Sequence, residues 1–191
     1  MNELRCIIGG DEINYPYSIE EFIVLEGHLV VAKHNNERSL LQSIINIRPD
    51  AVIINTSLET KNLLELCKNI SEQKIAPIIL IGNQLETHKL SSYYIKTDVF
   101  SFIIAPINRD NFISVLEFSL SKFQQIVNVE KKVKEYEKQI EHRALIEKAK
   151  GLIMKIKGMT EEEAYSMMRK ISMDQCISMQ RVAKAIIKKL G

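Results

Sequence analysis

Five short apolar runs constrain this chain more than any other feature. "LRCIIGG", "HLVVAKH", "DAVIINT", "APIILIG" and "FSFIIAP" recur before residue 107, each bounded by polar residues, Gly or Pro. Short, wholly apolar runs rich in Ile and Val suit parallel strands buried on both faces. The stretches between them read as helices. "SIEEFIVLEG" opens on the capping-box pair Ser18 and Glu21 and ends on Gly27. "NERSLLQSIINI" and "ETKNLLELCKNISEQK" repeat apolar residues three and four apart. Strands alternating with helices predict an α/β fold, a doubly wound parallel five-stranded sheet with its sites at the carboxyl ends of the strands.

The pattern changes after Pro106. All four prolines lie before residue 107, so a long helix can begin near Asn108. Ile126, Val129, Val133, Tyr136 and Ile140 step by three and four along it, while Lys131, Lys132, Lys134, Glu135 and Lys138 stay off the stripe. That is a coiled-coil seam of about two heptads, and it predicts a homodimer. A single helix lying on its own domain is the alternative.

Three helical segments follow. One ends at Gly158, the second starts at Thr160 with Glu163 completing a capping box, and the third starts after Ser178. Ile146, Ala149, Leu152, Ile153, Ala164, Tyr165, Met168, Val182, Ala183 and Ile186 are the expected core, with Gly151 allowing close helix packing. The stretch "EKAKGLIMKIKGMTEEEAY" is not a phosphate loop. Such loops need two glycines four residues apart followed at once by Lys and Ser or Thr, and here apolar residues follow Gly151 and Gly158.

Charge divides the chain in the same place. Residues 1–128 carry 11 Lys and Arg against 15 Asp and Glu, and residues 129–191 carry 15 against 9. The basic rear is the better candidate for an anionic partner. Cys6, Cys67 and Cys176 are scattered without a CxxC pair, as are the four histidines. This argues for reduced thiols in a cytoplasm, and against a disulfide frame or a metal site. No apolar run is long enough to cross a membrane. No Ser/His/Asp or Cys/His grouping points to an enzyme, and no cofactor is implied.

Two family resemblances now have residues to rest on. The motifs "IEKAKGLIM", "GMTEEEAYSMMRKISM" and "VAKAII" resemble the ANTAR domain, an RNA-binding module of bacterial transcription antiterminators. The front half resembles a flavodoxin-like response-regulator receiver domain. Together they imply a receiver-like domain at residues 1–120, a coiled-coil linker helix at 121–142 and a three-helix ANTAR domain at 143–191.

Laid on the receiver pattern, Gly10 and Asp11 fall at the acidic pair that holds Mg²⁺, and Asn55 falls at the phosphoacceptor Asp. Gly82 falls at the Thr/Ser position and Ala105 at the Lys. Only Asp11 keeps the expected chemistry, and an amide cannot form an acyl phosphate. The resemblance therefore implies a pseudo-receiver, either a scaffold or a domain taking its input from a protein partner.

The ANTAR resemblance implies hairpins in nascent leader RNA as the partner, bound by a dimer. Carried over by position, the contacts are Lys150, Arg169 and Lys170, then Ser172, Gln175, Arg181 and Lys184. Arg and Lys would meet phosphates or base edges, and Ser and Gln base edges. Ser172 stands where the family more often has Ala. Glu161, Glu162 and Glu163 suit a helix N-terminus and mark an edge outside the contact face. Two other readings stay open: an adaptor whose helical end docks on a protein, and a DNA-binding regulator whose short basic helices enter a major groove.

Overall fold

The computed structural model describes residues 3–11, 18–86 and 99–190. The chain divides into two compact units, residues 1–128 and 129–191. In the first, strands β1 (Arg5–Gly9), β2 (Leu29–His34), β3 (Ala51–Asn55), β4 (Ile78–Gly82) and β5 (Ser101–Ile104) pair in the order β2-β1-β3-β4-β5, all parallel. Helices α1 (Ile19–Leu25), α2 (Glu37–Ile47) and α3 (Leu63–Gln73) lie between them. All five expected strands are present.

Strand alternation explains why the runs are apolar throughout. Ile7, Val52, Ile54, Ile78 and Leu80 face one side of the sheet and pack with Leu40 and Ile44 of α2 and Leu66 and Ile70 of α3. Cys6, Ile8, Ile53, Ile79 and Ile81 face the other and pack with Phe22 and Ile23 of α1 and with Phe112 and Leu116. A strand covered by helices on both faces has no polar side. Among the described residues the edge strand β2 pairs with β1 alone, and it stays half-buried. The capping box on α1 forms as read: the Ser18 hydroxyl accepts from the Glu21 amide, and the Glu21 carboxylate accepts from the Ser18 amide at 2.8 Å.

Helix α4 runs from Arg109 to Lys157, 49 residues without a break. The Asn108 side chain caps its start by accepting from the Asn111 amide at 2.8 Å. The first turns of α4 bury Phe112 and Leu116 against the sheet. Farther along, Ile126, Val129, Val133, Tyr136 and Ile140 are each at least 45 % exposed.

In the second unit the last turns of α4 pack with α5 (Glu161–Asp174) and α6 (Met179–Leu190). Gly158 ends α4 at φ +65°, the left-handed cap expected of a glycine there. Thr160 and Glu163 form the expected capping box on α5. Ala149, Ile153, Ala164, Met168, Val182 and Ala183 are buried together, with Ile146 and Ile186 packed against them. Three expectations are corrected. Leu152 is half-buried and is not among the residues packed in this core. Tyr165 lies outside this core, 46 % exposed, because the buried stripe of α5 runs through Ala164 and Met168 and turns the neighbouring position outward. Gly151 is exposed, and a Cβ there would meet nothing within 4 Å, so close packing does not require it.

Candidate nucleic-acid interface

In the receiver-like unit, the positions that the sequence resemblance assigned to phosphoryl chemistry lie at the carboxyl ends of the strands or just after them. Asn55 ends β3 and is buried. Its side-chain oxygen accepts from the Ser57 amide at 3.0 Å, and its Nδ2 has no hydrogen-bond partner among the described residues. Gly10 turns at φ +96°, and a Cβ there would come within 3.0 Å of the Asn55 Cβ and the Leu58 amide nitrogen. An acidic side chain at Gly10 would strain the backbone and displace its neighbours. Asp11, the one acid retained, is tied up locally: Asn35 Nδ2 donates to its carboxylate at 2.6 Å, and its amide donates to Ser57 Oγ at 3.0 Å. Gly82 closes β4 and Ala105 follows β5 directly, where neither offers a polar side-chain group.

The seven expected contacts of the second unit separate into three groups. Arg169, Lys170, Arg181 and Lys184 are exposed, and none makes an ion pair among the described residues. Arg169 lies across α5 from the buried Met168 stripe, four residues from exposed Tyr165. Arg181 and Lys184 sit three apart on the side of α6 opposite buried Ala183 and partly buried Ile186 and Leu190. Lys188, also exposed, continues their row. It was missed in the sequence, although its spacing of seven from Arg181 carries the signal.

Lys150 stands apart from these four cations, because its ammonium is engaged within the unit. Its side chain is 8 % exposed, and its ammonium sits 2.8 Å from Glu147 and 2.6 Å from Glu161. These two carboxylates raise the lysine's pKa above its ordinary value, the Glu147 hydrogen bond contributing most. In turn the Lys150 hydrogen bond lowers the Glu161 carboxyl. Lys150 clasps the end of α4 to the start of α5. Glu163 is likewise held low, by the amide and then the hydroxyl of Thr160.

Ser172 and Gln175 lie at the bend after α5. The Ser172 hydroxyl donates to the Ile177 carbonyl at 2.5 Å, so its proton secures the bend and is not available to a base. Gln175 caps α5 through its backbone amide. Its exposed side-chain amide has no partner among the described residues.

Residues 134–187 match the ANTAR domain. The match begins inside the stretch that the sequence reading gave to the linker. Nearly the whole chain is similar to the Transcriptional regulatory protein PdtaR of Mycobacterium tuberculosis, 25 % identical over 187 residues, which is 98 % of this chain and 91 % of that one. A stretch of 48 residues is 44 % identical to the Nitrate regulatory protein of Klebsiella oxytoca, covering 25 % of this chain and 12 % of that one. Among solved structures, the signal receiver domain of a modulated diguanylate cyclase from Desulfovibrio desulfuricans G20 superposes with a TM-score of 0.57 at 15 % identity, over 65 % of this chain and 98 % of that one. NtrX from Brucella abortus superposes with a TM-score of 0.56 at 21 % identity, over 68 % of this chain and 30 % of its own. At such identities the structural likeness concerns the fold alone. The chain therefore carries an ANTAR domain at residues 134–187 behind a domain of the receiver fold.

Proposed function

We infer that this chain is a dimeric antitermination regulator whose rear unit binds hairpins in leader RNA and whose front unit does not accept a phosphoryl group. The observation that carries the reading is a set of exposed cations, Arg169, Lys170, Arg181 and Lys184, that make no ion pair among the described residues and stand on an ANTAR unit. Cations without an internal partner are free to displace the counterions of an RNA backbone. Tyr165, exposed four residues from Arg169, adds an aromatic face on which an unstacked loop base can lie. Glu161 and Glu163 are held by Lys150 and Thr160, at the other end of α5 from Arg169.

In the front unit, the case against phosphorylation rests on Asn55. Its amide nitrogen cannot attack as a carboxylate does, and Gly10, Gly82 and Ala105 supply neither metal ligand nor neutralising cation. An input through a protein partner fits a domain that keeps the receiver shape without its chemistry.

The seam on α4 supports the dimer. With Ile126, Val133 and Ile140 at the a positions, and Val129 and Tyr136 at d, Lys132 falls at g and Glu137 at the e position of the next heptad. A parallel in-register pair sets each Lys132 against the other chain's Glu137. An antiparallel pair centred on the seam would oppose Lys132 to Lys132.

The test is RNA binding read against salt. The full chain is expected to shift a two-hairpin leader RNA with a steep salt dependence. Arg169→Ala should weaken binding and reduce the slope of log affinity against log salt by about 1. Lys150→Met, which keeps the buried stem and removes a charge already neutralised, should leave that slope unchanged. Equal losses in the two variants would return Lys150 to the contact surface. Preference for duplex DNA over hairpin RNA would replace the reading with the DNA-binding one.

A further inference from the structure

The ANTAR unit contains a groove that meets the expected contacts at Gln175 alone. It encloses about 330 Å³ between the end of α4, α5 and α6. This is near the lower limit for small-molecule pockets, about 300 Å³. Ile153, Met167, Ile177 and Ile186 form its apolar walls. Three groups at its margin are polar, Gln175, Lys157 and Lys189, and no acidic residue lines it. Lys189 makes no ion pair among the described residues, and the Lys157 ammonium has only the Met167 sulfur, at 3.8 Å. The Gln175 side-chain amide, with one donor and one acceptor edge, is also unengaged among the described residues.

We propose that this groove is a nucleobase site, which takes one unstacked loop base of the bound RNA between its apolar walls. This inference rests on the RNA-binding reading above and names a subsite within it. The groove's chemistry selects the occupant. A base is a flat body whose faces prefer apolar contact and whose edge carries donors and acceptors side by side. The walls supply the first and the Gln175 amide matches the second. Every nucleobase is also flanked by phosphates, and Lys157 and Lys189 are the cations placed to receive them. The same groove would hold an apolar helix, but cations at the margin without acids match a polyanion better than an average protein surface. The contact is separate from the Arg181, Lys184 and Lys188 row, because those residues face away from the buried side of α6 that the groove adjoins.

Two measurements on the full chain test the site. The first compares hairpin RNAs that share one stem and differ only in the loop, which carries either all four bases or abasic residues. Ala185→Phe fills the groove from an exposed position on α6. It should lower affinity for the base-bearing loop about tenfold and hardly change affinity for the abasic one. The part of the salt slope set by Arg169, Lys170 and Lys184, outside the groove, should be retained, and any fall should not exceed the two phosphates assigned to Lys157 and Lys189. Gln175→Leu should narrow the differences among loops of A, C, G and U. The second measurement irradiates the wild-type chain bound to a loop containing 5-iodouridine and maps the crosslink by mass spectrometry. Fragment ions should localise the crosslink to groove residues such as Met167, Gln175, Ile177 or Ile186, and not to Arg181, Lys184 or Lys188. This readout does not depend on any variant folding.

Equal affinity of Ala185→Phe and wild type for the base-bearing loop, with crosslinks elsewhere on the unit, overturns the groove as a base site and leaves RNA binding standing. Failure of the wild-type chain to bind any hairpin at low salt overturns the RNA reading, and the site with it. Tight binding of an acidic amphipathic helical peptide, lost in Ala185→Phe while RNA affinity persists, makes the occupant a protein and overturns the proposal.

Discussion

Asn55 and Lys150 show how one residue decides between chemistries. At Asn55 the proposed reading turns on an amide that cannot act as a carboxylate nucleophile, and the side-chain oxygen accepts from the Ser57 amide. At Lys150 residue type alone indicated an anionic partner, and the fold supplies two carboxylates from within. The thiols divide in the same way. Burial pushes Cys6 and Cys67 up to about 12, the Asp50 charge adding to the effect at Cys6, while Cys176 is exposed at the bend after α5. A maleimide reagent at neutral pH should therefore label Cys176 alone in the folded chain, and all three in denaturant. Rapid labelling of Cys67 would contradict its burial.

The capping box at Thr160 makes a pH prediction. The Glu163 carboxyl is held below its ordinary 4.5, so it favours the folded state at neutral pH. That contribution is present above the unfolded value and is lost as pH falls through the folded one. Helical melts of the full chain should show Tm falling on the acid side. Glu163→Gln, which still accepts from the Thr160 amide without titrating, should make that fall shallower. An unchanged acid limb would remove Glu163 as a contributor.

Among the elements, α4 was the most legible in its extent and the least in its consequences. Its proline-free sequence and the Asn108 cap fixed a long helix, and the steps of three and four from Ile126 to Ile140 marked a seam. Periodicity cannot tell whether such a stripe faces its own domain or another chain. The exposure of all five residues favours the second. Orientation then depends on charge. Lys132→Glu should weaken a parallel dimer by about 1 kcal/mol, from two symmetric pairs of about 0.5 kcal/mol each. Adding Glu137→Lys should restore it. Sedimentation equilibrium checks this, and no rescue by the second change would favour another orientation. Helix α5 was harder to read, because Ala164, Tyr165 and Met168 all keep helical spacing. Only the angle at which α5 meets α4 and α6 decides that Tyr165 turns out.

At the scale of the whole molecule, an acidic receiver-like half and a basic ANTAR half are carried by one continuous helix. If the front half has left phosphoryl chemistry, signalling by phosphorylation is closed to it. Incubation with acetyl phosphate and Mg²⁺ should leave the mass of the chain and its hairpin affinity unchanged. A phosphorylated species, or a shift in affinity with one, would reverse the pseudo-receiver assignment.

The sequence by itself determined the strands, the caps and the break after Pro106, because apolar runs, capping boxes and proline act over a few neighbouring residues. It also determined which groups stand at Gly10, Asp11, Asn55, Gly82 and Ala105, since that is a matter of residue identity. Tertiary structure alone decided which cations are free. Arg169 and Lys150 carry one charge each in sequence; Lys150 meets Glu147 one turn away on its own helix and Glu161 eleven residues on, and only the packing of α5 on α4 brings the second carboxylate to it. The groove between α4, α5 and α6 had no sequence signature either, because a cavity is made by how three elements fail to fill the space between them.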